Sequence, residues 1–74
     1  MDNKRVKTIF RDAFNFLQKH LGRLSEPEEP FWLAASADYS NLWNLHDGDP
    51  LAQALLLAAY EELERQRKAA RHAN

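Results

Sequence analysis

Chemistry in this chain would have to come from three histidines, three serines and a set of carboxylates, because it contains no cysteine. His46 stands beside Asp47 and Asp49 in the run HDGDP, where an imidazole and two carboxylates fall close together. A calcium loop needs several more oxygen ligands at fixed positions. These residues also have structural roles ready for them. Asp49 before Pro50 reads as a helix cap followed by a first-turn proline. Asp47 reads as a turn residue, and His46 as the end of a helix near the negative end of its dipole. No metal and no cofactor is expected here. Nucleophilic catalysis needs a hydroxyl or thiol with a base and an orienting group, and no spacing pairs Ser25, Ser36 or Ser40 with a histidine. Glu61, Glu62 and Glu64 lie on a highly charged helix. With only Gly22 and Gly48 there is no glycine-rich phosphate loop. The expectation is a chain that is not an enzyme.

The elements that would position these residues are helices. Val6, Ile9, Phe10, Ala13, Phe14, Leu17 and Leu21 recur at steps of three and four, which predicts a helix over 3–21. Phe16 and His20 sit at the edge of that stripe. Gly22 is placed to close the helix with a positive φ. Ser25 and Glu28 have capping-box spacing, but Pro30 would then fall too far into the helix, so the second helix is set at 29–45 with Pro30 in its first turn. Trp32, Ala35, Tyr39, Leu42, Trp43 and His46 share one side of it. Gly48 supplies a left-handed turn, and a third helix runs from 50 to 71. Its first half, LAQALLLAAY, is apolar on almost every side. Its second half is charged, with Glu61–Arg65 and Glu64–Lys68 at the favourable i, i+4 spacing, and is expected to project past the body and fray beyond Ala70. No alternating strand pattern and no internal repeat is read. The expected fold is all-α: one domain, residues 1–74, forming a compact three-helix bundle with an extended charged C-terminal helix end. Its core is expected from Phe10, Phe14, Leu17, Trp32, Tyr39, Trp43, Leu55, Leu56, Ala59 and Leu63.

At 74 residues the chain buries only about 60% of its unfolded surface. The formal charge is −1, but it is unevenly spread. Residues 1–24 carry six Lys/Arg and two Asp, residues 25–49 six Asp/Glu and no Lys/Arg, and residues 50–74 four Lys/Arg and three Glu. The first and middle segments therefore attract one another. The N-terminus has no signal-peptide pattern, and no apolar run approaches the roughly 20 residues that span a bilayer. A cytoplasmic location, with no membrane partner, is expected.

Two function classes follow. The favoured one is a small protein–protein interaction or adaptor protein, forming a homodimer or docking another protein through surplus apolar surface. Phe16, His20, Phe31, Leu51 and Leu57 are the expected interface residues. The histidine His72 is given no role. The alternative is a nucleic-acid-associated regulator using Lys4, Arg5, Lys7, Arg11, Lys19 and Arg23 on the first helix with Arg65, Arg67, Lys68 and Arg71 near the end. It is disfavoured because the second helix carries only acidic charge. The third also begins with leucines, where a helix-turn-helix reader needs polar side chains.

The order Phe31-Trp32, then Asp38-Tyr39, then an apolar helix closing Glu61-Glu62-Leu63-Glu64-Arg65 resembles a group of short bacterial proteins with an EFW segment, a central aromatic stretch and a closing ELER. The resemblance spans about residues 28–66, with Glu29-Pro30 standing before Phe31-Trp32 here. It implies a small helical protein and carries over no functional residue.

Overall fold

A computed structural model describes residues 3–72, with the side chains of residues 3–70. It is a bundle of three helices, α1 Asn3–Leu21, α2 Glu28–Leu45 and α3 Pro50–His72, each bound within a residue of the expectation. The bundle is elongated, 45 × 19 × 16 Å. α3 continues past Ala70 through Arg71 and His72, whose side chains lie outside the described residues.

Local sequence explains most of the boundaries. The Asp49 carboxylate accepts the Leu51 N–H at 2.9 Å and caps α3, with Pro50 in the first position, where no N–H is needed. The α2–α3 turn is made by two left-handed residues, Asp47 at φ 48 and Gly48 at φ 73. The start of α2 differs from a capping box, since no side chain caps it. Instead the Phe31 N–H reaches back to the Pro27 carbonyl at 3.1 Å. Gly22 also departs from expectation and is not left-handed. The chain leaves α1 through further right-handed turns, with Arg23 N–H on the His20 carbonyl and Glu26 N–H on the Arg23 carbonyl, both at 3.0 Å. That path brings Arg23 back over the bundle.

α1 and α3 lie together along most of their length, while α2 meets each of them more sparingly. The interior is built from Ile9, Ala13, Phe16 and His20 of α1, Phe31 and Ala35 of α2, and Ala52, Leu56, Ala59 and Leu63 of α3. Leu56, Ala59 and Leu63 stand in the core as expected. Phe10 and Phe14 do not: they are 51% and 61% exposed. Leu17, Trp32, Tyr39, Trp43 and Leu55 are half-buried. At 100° per residue the inward arc of α1 is turned about 70° from the expected stripe. The reason is that α1 is apolar over a wider arc than two neighbours cover, and its polar contacts to α2 select which part faces in.

Candidate functional site

A connected polar network surrounds His20, whose side chain is fully buried. Its Nε2 lies 2.8 Å from Asp38 Oδ2, and its Nδ1 faces Arg23 Nη1 at 2.5 Å. A guanidinium only donates, so Nδ1 accepts and Nε2–H donates to Asp38, which fixes the tautomer. Lys19 Nζ donates to the same carboxylate oxygen at 2.8 Å. The Lys19 ammonium, then the His20 hydrogen bond, holds the Asp38 carboxyl below its usual range against the opposing effect of burial. Arg23 also binds Glu26 through two hydrogen bonds of 2.8 and 2.6 Å, which holds Glu26 low. Arg67 is buried, not solvated as its charged neighbourhood suggests. Its Nη1 donates to the carbonyls of Leu24 and Glu26 at 3.0 and 2.7 Å, and its guanidinium lies 4.8 Å from the Phe31 ring centre. It pins the α1–α2 linker to α3.

A second Asp–His contact mirrors the first. His46 Nε2 lies 2.8 Å from Asp12 Oδ2. Residues 12–20, DAFNFLQKH, and 38–46, DYSNLWNLH, share the pattern D-x-x-N-x-x-x-x-H. Because the α1–α2 connection reverses the chain, the aspartate of each segment meets the histidine of the other. This short shared pattern was not read from the sequence. It clasps α1 to α2 at two points. Between the clasps lies a shallow recess of about 230 Å³ that includes Asn15, Asn41 and Lys19. Among the described residues no hydrogen bond joins either Asp–His pair to a hydroxyl. Both ring nitrogens of His20 are engaged, and Ser36 and Ser40 open onto the opposite seam, with Leu57 and Tyr60. Among the described residues no three His, Cys, Asp or Glu side chains are grouped to hold a metal ion.

That opposite seam, between α2 and α3, is aromatic. Four rings run along it. Trp32 lies 5.3 Å from Tyr60, Tyr60 5.3 Å from Tyr39, and Tyr39 stacks on Trp43 at 5.6 Å. All four are partly exposed, and Trp32, Tyr39 and Tyr60 pack against the core around Phe16, Phe31, Ala59 and Leu63. Tyr39 and Ser40 line two adjoining hollows, one of about 310 Å³ shared with Tyr60 and Leu57 and one of about 320 Å³ on α2 alone, with Trp43 and Asn44. A third hollow, of about 430 Å³, opens at Trp32 and is walled by Glu28, Glu61, Glu64, Arg65 and Lys68. Burial, then the proximity of Tyr60, raises the Tyr39 hydroxyl above its ordinary value, so Tyr39 is neutral at physiological pH.

The expected interface residues divide sharply. Phe16, His20 and Phe31 are 3%, 0% and 0% exposed. They are interior groups, brought together as a ring cluster, and are not available to a partner. Leu51 is half-buried beside the HDGDP turn. Leu57 is 51% exposed on the rim of the aromatic groove. Reading the sequence missed the groove because its rings were assigned whole to the core. The expected helix pairs of Glu61 and Glu64 are replaced by Glu62, which accepts from Arg65 and Gln66 at 2.8 Å.

No protein-family model matches the chain, and neither curated proteins nor solved structures give a match.

Proposed function

We propose that this chain is a small, non-enzymatic protein-interaction module that takes an apolar, aromatic-bearing segment of a protein partner into the α2–α3 groove. The observation that carries this reading is the half-open ladder Trp32–Tyr60–Tyr39–Trp43. Large aromatic side chains bury more area than any others and lose little entropy on binding, which suits them to recognition surfaces. Leu57, Ser36 and Ser40 supply the rim. No described helix is long and apolar enough to cross a membrane. A cysteine-free chain suits the cytoplasm, where we place it. The nucleic-acid reading ranks second because so much of its charge is already used. Arg5 pairs with Asp49, Arg11 with Asp12, Lys19 with Asp38, Arg23 with Glu26 and Arg65 with Glu62.

Selection of a displayed helical peptide library on the immobilised protein tests the proposal. Enriched peptides should carry two or more large apolar or aromatic residues on one face and should quench or shift tryptophan emission. Their binding should be lost with Leu57→Glu. Peptides that bind Leu57→Glu as well as the wild type, or no enrichment at all, would retire it.

A further inference from the structure

The two nitrogens of the buried His20 ring answer a proton in opposite ways. Nε2–H donates to Asp38 Oδ2 at 2.8 Å, and a positive ring would strengthen that bond into an ion pair. Nδ1 accepts from Arg23 Nη1 at 2.5 Å. A guanidinium has no acceptor. A hydrogen on Nδ1 would therefore meet a hydrogen of Arg23, and the contact would become a repulsion between two cations. The surroundings are cationic already. Lys19 of α1, Arg23 of the linker and, past the Phe31 ring, Arg67 of α3 stand against only Asp38 of α2 and Glu26 of the linker.

Arg23 holds the α1–α2 linker in place through its side chain. It binds Glu26 with two hydrogen bonds of 2.8 and 2.6 Å, reaches the Pro30 carbonyl at 3.4 Å and lies 5.6 Å from the Phe31 ring centre. The start of α2 has no side-chain cap of its own. On its other side the linker is held separately, by Arg67 on the Leu24 and Glu26 carbonyls. Losing the His20–Arg23 contact would shift the linker without unfolding the bundle, while the Asp38 bond keeps α1 on α2.

We infer that His20 is a proton-operated latch: neutral, it holds Arg23 and the 22–27 linker against the bundle, and protonated, it keeps Asp38 and releases Arg23. The proton comes from solvent and reaches Nδ1 as Arg23 swings away. Imidazole is the side chain that changes charge between about pH 8 and 5, so the latch is closed at the upper end of that window and open at the lower. Asp38 and Glu26, both held below the ordinary carboxylate range, stay ionised throughout it. The inference stands apart from the groove reading and uses none of the groove's residues.

Amide and histidine-ring NMR spectra of the whole chain, followed from about pH 8 down to about pH 5, test it. The backbone signals of residues 22–26 and the Arg23 Nε–H signal should move through one transition that shares its midpoint with the His20 ring. His46 lies at the far end of α2, on Asp12, and protonating it should leave the linker still. In Arg23→Gln the side-chain amide can turn its oxygen toward a protonated ring, so the linker transition should disappear, with circular dichroism checking that the helices remain. Linker signals that hold their positions while the His20 ring titrates overturn the inference. A His20 ring that takes no proton across the window overturns it too, as does a linker transition that survives in Arg23→Gln.

Discussion

His20 and Arg67 occupy positions where a small bundle would ordinarily bury leucine, and both are tolerated because their polar atoms meet partners. His20 has Asp38 and Arg23. Arg67 has two linker carbonyls and the Phe31 face, although its Nε is buried without a partner. A planar guanidinium stacks on a ring and reaches two carbonyls at once, which an ammonium does not. Arg67→Lys should therefore lower stability by about 2 kcal/mol, read from urea denaturation; an unchanged midpoint would show that the clamp is idle. Part of the acid response belongs to Asp38, whose folded-state pKa lies below the ordinary 3.8, as those of Glu26 and Glu62 lie below theirs. A depressed carboxylate stabilises the fold fully above the unfolded pKa, and that contribution is lost as pH falls through the folded value. Acid unfolding of the wild type should steepen below pH 3.8, and Asp38→Asn should flatten that limb. Neither residue's role was legible in the sequence. Arg67 lies in a run of charges that reads as solvated, and His20 sat at the edge of a stripe whose rotation periodicity alone does not fix.

At the scale of elements, boundaries were legible where side-chain chemistry dictates backbone, as at Asp49-Pro50 and Gly48. Gly48→Ala puts a Cβ at φ +73, with the nearest side-chain atom, Gln53 Nε2, at an ordinary 3.6 Å. The cost is therefore backbone strain alone, about 1 kcal/mol, seen as a Tm drop of about 5 °C. Asp47→Gly at φ 48 should cost nothing from the backbone. Which face of α1 turns inward was not legible, since Phe10, Phe14, Leu17 and Leu21 make as good a helical stripe as Ile9, Ala13, Phe16 and His20. The two Asp–His clasps break that tie. Their repeat is visible in the sequence only when residues 12–20 are laid against 38–46 and the helices are taken to run in opposite directions.

At the scale of the molecule, a chain of 74 residues with three helices has little interior. Here part of it holds a polar network, while Trp32, Tyr39, Trp43 and Tyr60 are left partly exposed and Phe10 and Phe14 more than half so. That division is what makes the α2–α3 seam a candidate contact surface, and it rests on the position of two indoles. The direct measurement is a two-dimensional amide NMR spectrum followed through a titration with a peptide selected on the protein. The account predicts that both indole N–H signals shift, together with the backbone of residues 36–43 and 57–60, while the buried cluster around His20 stays still. Indole signals that hold their positions while shifts gather elsewhere on the bundle would contradict it.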